Sequence, residues 1–429
     1  MTLSWVKILR LGLVQLCLGA IVVLMTSTLN RVMVVELALP ALVPGLLVGL
    51  HYGVQITRPN WGFRSDTKGN RTRFIIGGMA LLAAGAMLAT LAVLWMPGAR
   101  VAALAVSVLA YGMIGVGVGA SGTSLLALLA TATAPRRRAA AATITWLMMI
   151  FGIAVTAGVS GQFLDPYTPA RLMQVVSVVC LGALVLTVLA IWGIEARVVA
   201  VREPAPMPFR QGIAEIWGER RTRNFTLFVF LSMVAYFMQE LILEPYAGLV
   251  FGFTPGQSTS LSGAQNGGVF AGMALVGVLA TGFRLGSLRV WVSAGCLGSA
   301  VALGVIIAVG QVGVPLLVPA VVALGFFNGM FAVAAIGSMM ALAGEGRGAR
   351  EGTRMGLWGA AQAVAAGLGG LLGAVLVDVA RAVLPDPTAF GLTFAFEALL
   401  FVVAAGIALR VLHTIPDRRM PAGLAVPGE

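Results

Sequence analysis

The residues most able to do chemistry in this chain stand together in Met238-Gln239-Glu240-Leu241-Ile242-Leu243-Glu244-Pro245-Tyr246-Ala247-Gly248. Glu240 and Glu244 are four residues apart, which puts both carboxylates on one helix face at roughly 6 Å, and Pro245 then kinks or ends the helix. Two acids so close in apolar surroundings need compensation, either a proton on one of them or a base such as Arg31. The plainer alternative is a helix end wetted by polar solvent. Other acids set deep in apolar sequence are Glu397 and, near a helix end, Glu36. The first six apolar segments carry no ionisable group in their interiors, so the polar site is expected in the second half. Enzyme chemistry finds few parts. There are two histidines, no Cys-His pair at a useful spacing, no metal-ligand cluster and no phosphate-binding Walker loop, so no catalytic residue and no metal site is expected.

The elements that must position these acids are membrane helices. Of 429 residues 59% are hydrophobic and only 10% charged, and mean hydropathy is +0.97, whereas soluble domains are about 25% charged. Apolar runs of roughly 20 residues, enough to cross a hydrocarbon core of about 30 Å, recur throughout. Cutting at charges, Pro and Gly predicts twelve helices starting near residues 11, 37, 74, 101, 139, 172, 224, 260, 290, 314, 354 and 389. With the amino terminus cytoplasmic, 24 of the 28 Lys and Arg residues fall on the cytoplasmic side. Only Arg31, Arg100, Arg171 and Arg381 lie opposite, the asymmetry of the positive-inside rule, so both termini are expected in the cytoplasm. The same scatter of charge between apolar runs argues against a nucleic-acid partner. Cys17, Cys180 and Cys296 sit inside apolar runs and no disulfide is expected.

A Pro-rich connector at 196–223 divides the chain into an amino-terminal six-helix unit, 1–195, and a carboxyl-terminal one, 224–429. Its Phe209 to Glu219 stretch could form a short amphipathic surface helix. The halves echo each other: Gly62-Phe63-Arg64 recurs as Gly282-Phe283-Arg284, Ser124 as Ser338, Trp146 as Trp358 and Asp165 as Asp378, at offsets between 212 and 220 residues. Such a repeat is expected of transporters whose halves move about a central cavity. Gly117-Val118-Gly119-Ala120-Ser121-Gly122 spells a dinucleotide fingerprint but lacks the strand that the fingerprint needs, and close helix packing explains it.

Between the second and third helices, Gly62, Asp66, Gly69 and Arg71 form a G-x-x-x-D-x-x-G-x-R pattern. It resembles the signature loop of the major facilitator superfamily, a conformational element on the cytoplasmic side. The resemblance implies an all-α membrane protein with twelve transmembrane helices in two pseudo-symmetric six-helix bundles.

Three further stretches carry a narrower resemblance: the acid-rich segment above, Thr28-Leu29-Asn30-Arg31-Val32-Met33-Val34-Val35-Glu36-Leu37, and Gly348-Ala349-Arg350-Glu351-Gly352-Thr353-Arg354-Met355-Gly356-Leu357-Trp358-Gly359-Ala360. They look like the PucC family, the bacteriochlorophyll-delivery branch of that superfamily. This implies a factor in the bacterial inner, intracytoplasmic photosynthetic membrane that handles bacteriochlorophyll while light-harvesting complexes are assembled. Implied partners are antenna polypeptides, the reaction centre or bacteriochlorophyll synthase, and the lipid bilayer. Length and short tails lean toward a form linked to pigment synthesis. Candidate pigment or partner contacts are then His51, set between Gly49 and Gly53, together with Glu240, Glu244, Tyr246, Asn266 and Asn328. A histidine hydrogen-bonded to a neighbouring helix, and amides used for helix packing, are the plainer readings of His51, Asn266, Asn328 and Gln362. Two other functions stay open, a secondary transporter of a small solute and a docking protein without pigment.

Overall fold

A computed structural model describes residues 3–58, 61, 70–134, 137–195, 220–283, 285–343 and 351–411. Among them are twelve helices and no strand. We number them α1 (Trp5–Glu36), α2 (Leu42–Thr57), α3 (Arg71–Trp95), α4 (Arg100–Ala132), α5 (Arg138–Leu164), α6 (Pro169–Ile191), α7 (Arg220–Phe251), α8 (Pro255–Gly277), α9 (Leu288–Val312), α10 (Leu317–Ala343), α11 (Glu351–Arg381) and α12 (Asp386–Val411). All but α2 are long and apolar enough to cross a membrane. The chain is thus a multi-pass membrane protein.

Helix boundaries follow local chemistry. Asn70, Thr168 and Ser287 each accept a backbone N–H from the first turn of α3, α6 and α9. Thr254 and Gln257 form a reciprocal capping box at α8, with Pro255 at the first helical position. The second helix begins at Leu42 and not near residue 37, because Ala38 adopts a left-handed φ of 49° and Pro40 follows it. The seventh begins at Arg220, inside the segment assigned to the connector. The surface helix expected at 209–219 and the loop residues Gly62, Asp66 and Gly69 lie outside the described residues.

Buried apolar side chains gather into two main cores. One is built from residues 3–194 with Leu241, the other from residues 225–411. The halves meet where α5 packs on α8 and α2 packs on α11. At the first contact the backbones nearly touch: a Cβ on Gly256 would sit 2.4 Å from the Gly161 carbonyl oxygen, so only glycine fits.

The helices alternate in direction, giving two faces. On the amino-terminal face Arg10, near the start of α1, donates to the carbonyls of Ala190 at 3.0 Å and Trp192 at 2.7 Å, at the end of α6. Nearby, Glu195 accepts the backbone N–H groups of Arg71 and Thr72, each at 2.7 Å, and so caps α3. The Arg71 guanidinium donates to the Ala127 carbonyl. On the opposite, distal face lie Arg31, Arg100, Arg171 and Arg381, the four basic residues that the sequence separated from the rest.

Candidate functional site

The seam between the halves holds the acids. α7 presents Phe237, Glu240, Leu241, Glu244 and Gly248 to the first half, a run at the three-and-four spacing of one helix face. Facing it is the outer part of α1, which departs from α-helical bonding twice, at Leu24–Thr28 and Val32–Glu36, where the pattern is π-helical. Between the two π segments α1 presents Asn30 and Arg31, and the first segment supplies Thr26, Ser27 and Thr28.

Each acid has its own setting. Glu240 is half-buried and accepts from the Tyr52 hydroxyl of α2 at 3.2 Å, with Thr26 beside it. Tyr52 is held by edge-on contact of its ring with Phe237, at 5.7 Å between centroids. Glu244 is 1% exposed. Its Oε1 accepts from the Ser262 hydroxyl of α8, while Oε2 has no hydrogen-bond partner among the described residues. Ser262 in turn lies 3.3 Å from the Ser27 hydroxyl, and Thr28 pairs with Thr259 at 3.0 Å.

Beyond the acids the distal end is fastened across the seam. Asn30 donates to the Leu241 carbonyl at 2.7 Å, and Arg31 donates to the Phe253 carbonyl at 2.6 Å while pairing with Glu36. Asp165, at the end of α5, accepts from Thr254 at 2.8 Å. Its repeat partner Asp378, near the end of α11, accepts the backbone N–H groups of Ala41 and Leu42 at 2.9 and 2.7 Å. Both acids therefore tie the fifth helix of one half to the second helix of the other. A pocket of about 660 Å³ opens beside this end, lined by Arg31, Glu36, Asp165, Tyr167, Phe253 and Thr254 among others. Burial, with help from Glu36 and against Arg31, holds the Tyr167 hydroxyl above its ordinary pKa.

Several sequence candidates land elsewhere. Tyr246 is not part of the acid site: it points into the second core, donates to the Ile306 carbonyl at 3.0 Å and stacks among Phe251, Phe390 and Phe394. Two residues further along a helix is about 200° round from Glu244, which is the physical reason. Arg31 gives neither acid a hydrogen bond, since its donors go to Glu36 and Phe253, and it acts on Glu244 through charge alone. His51 is 2% exposed at the contact of α2 with α4, with Nε2 3.0 Å from Gln55 Nε2 and Nδ1 buried without a partner among the described residues. Asn328 accepts from Ser299 at 2.8 Å between α10 and α9. Asn266 donates to the Ser262 carbonyl at 3.0 Å, one turn back on α8. Gln362 donates weakly to Met233 sulfur, and Glu397 is wholly buried with neither oxygen bonded among the described residues.

The residues not singled out from sequence are Tyr52, Ser27, Thr28, Thr259 and Ser262. The hydroxyl runs Thr26-Ser27-Thr28 and Ser258-Thr259-Ser260 were the available signal.

Comparison with known proteins gives this geometry a family. A model of the family described as PUCC protein matches residues 28–415. The chain belongs to the PucC family. Among PucC-family relatives, the bacteriochlorophyll synthase 44.5 kDa chain of Rhodobacter capsulatus is 66% identical over 426 residues, covering 99% of this chain and 100% of that one. Protein PucC of the same organism is 30% identical, covering 95% of this chain and 92% of its own length. Two solved structures share the fold: a bacterial homologue of the human lysosomal transporter Spinster, at TM-score 0.70 and 14% identity over 98% of each chain, and a bacterial homologue of the human peptide transporters PepT1 and PepT2, at TM-score 0.69 and 16% identity over 95% of this chain and 98% of that one. This PucC-family member has the major facilitator fold.

Proposed function

We propose that the chain is a membrane assembly factor that holds bacteriochlorophyll and passes it on while photosynthetic light-harvesting complexes are built. The observation that carries this is end-to-end likeness, 66% identity, to a relative named as a chain of bacteriochlorophyll synthase. Its setting would be the intracytoplasmic inner membrane with both termini cytoplasmic, as the 24-to-4 division of basic residues supports. Partners would be antenna polypeptides, the reaction centre or the pigment-synthesising enzyme. We read it as a carrier and not an enzyme, because its sequence pairs no nucleophile with a base.

The donor set fits the pigment at one place. His51 does not fit as a magnesium ligand in this conformation, since one ring nitrogen faces Gln55 and the other is buried from solvent. Glu240 fits better. Its half-buried carboxylate faces the seam, is steadied by Tyr52, and offers the oxygen donor that a hard magnesium accepts. Bound pigment would supply a Lewis-acidic magnesium and near-infrared absorbance. The chain's part is to orient Glu240 through Tyr52 and to keep water out at the fastened distal end.

A second reading, secondary transport of a small solute, is favoured by the carboxylates lying between two halves in a fold shared with transporters. One comparison separates the two. Protein purified from a phototrophic host should retain near-infrared absorbance that free pigment in the same detergent does not reproduce. Absence of that absorbance, with solute-dependent proton flux in liposomes, would replace the first reading by the second.

A further inference from the structure

Glu244 is the most deeply sealed acid of the seam and is only half satisfied, a trait that the less buried Asp165 shares. Glu244 is 1% exposed, Oε1 takes the Ser262 hydroxyl, Oε2 has no partner among the described residues, and Ser27 lies alongside. Among the described residues no cation hydrogen-bonds it, although the Arg31 guanidinium acts on it through charge. Arg31, the basic residue of the neighbouring turn of α1, bonds Glu36 and the Phe253 carbonyl. The other acid on the same face, Glu240, adds charge of the same sign. A carboxylate kept from water and without a directly bonded base is costly unless something neutralises it.

What surrounds it is a set of hard oxygen donors: one carboxylate and two hydroxyls 3.3 Å apart, drawn from three helices. The Ser27 side comes from a π-helical turn, Leu24–Thr28, where backbone carbonyls leave the regular i to i−4 pattern. A single negative charge with neutral oxygens matches a monovalent ion, and no group of three or more metal-binding side chains occurs among the described residues to suit a divalent one.

We propose that Glu244, Ser262 and Ser27 form a binding site for a small monovalent metal cation of the sodium class, set between α7, α8 and α1. Ser27 belongs to the first half and the other two to the second, so the ion also ties the halves together. Occupancy would favour the fastened distal end described above. The site is separate from Glu240 and does not depend on the pigment reading.

The test uses the full-length chain purified in detergent from a host that makes no bacteriochlorophyll, at fixed pH and ionic strength. Thermal unfolding is compared in sodium chloride and choline chloride, with equilibrium binding of radioactive sodium alongside. Sodium should raise Tm in a saturable way and be retained. Glu244→Gln should abolish both effects, and Ser27→Ala, which removes one neutral ligand, should weaken binding by about tenfold. Ser299→Ala, in the α9–α10 contact, should bind sodium as wild type does. Equal Tm in both salts with no retained sodium would overturn the proposal, as would normal sodium binding by Glu244→Gln. Stabilisation that follows pH alone, absent any sodium effect, would overturn it in favour of a proton. If Glu244→Gln does not fold, wild type and Ser27→Ala still decide.

Discussion

The two halves of this molecule bring opposite chemistry to their shared seam. The first half mostly donates: Tyr52, Asn30, Arg31 and the amides of Ala41 and Leu42 all point hydrogens across. The second half mostly accepts, through Glu240, Asp378 and the carbonyls of Leu241 and Phe253. The Thr254 to Asp165 bond runs the other way. Two like halves thus share a fold while dividing donors from acceptors. Pseudo-symmetry places residues at matching positions, whereas donors and acceptors are not shared out by that symmetry.

Removing the two acids of α7 should have the largest effect. The double variant Glu240→Gln, Glu244→Gln should accumulate in the membrane yet fail to support antenna assembly. Whole-cell near-infrared absorbance of cells carrying it as their sole copy checks this, and normal absorbance would break the division of roles. Removing the strongest donor comes next: Arg31→Gln leaves the Phe253 carbonyl unserved and Glu36 unpaired. We expect a loss of about 2 kcal/mol, discounted because Glu36 is partly exposed, measured by unfolding in detergent.

The repeat-related acids sharpen the comparison. Asp378→Asn should cost about 1 kcal/mol, because α2 has no side-chain cap of its own and relies on this carboxylate from the other half. Asp165→Asn should cost less, roughly 0.5 kcal/mol, since Thr254 and Gln257 already cap α8. The smallest effect on pigment is expected from His51→Gln, whose ring serves packing between α2 and α4. Pigment loss there with a normal protein level would return His51 to the list of ligands.

Much of this was legible in the sequence, for reasons that can be named. Helix starts at 71, 100, 138 and 288 fall close to the expected ones because charges and caps mark them. Asp165 and Asp378 were matched by the repeat alone, and their shared task followed. Glu240 and Glu244 stand out in the sequence because deep acids are rare in lipid-facing segments. What was hidden depends on angle and on the partner helix. Tyr246 adjoins the acids in sequence but is turned to the opposite side of α7, a fact the helical period contains and adjacency obscures. Tyr52 reads as an ordinary aromatic until α2 is set against α7. The start of α2 was misplaced because the left-handed turn at Ala38 carries no glycine to announce it.

The central claim is that Glu240 meets the pigment while Glu244, one turn away, does not. Its most direct test is pigment recovery from the wild-type chain and from the single variants Glu240→Gln and Glu244→Gln, purified side by side from the same phototrophic host. The account predicts that bacteriochlorophyll absorbance per mole of protein falls sharply in Glu240→Gln and stays near wild type in Glu244→Gln. Equal retention by both variants, or equal loss in both, would contradict it.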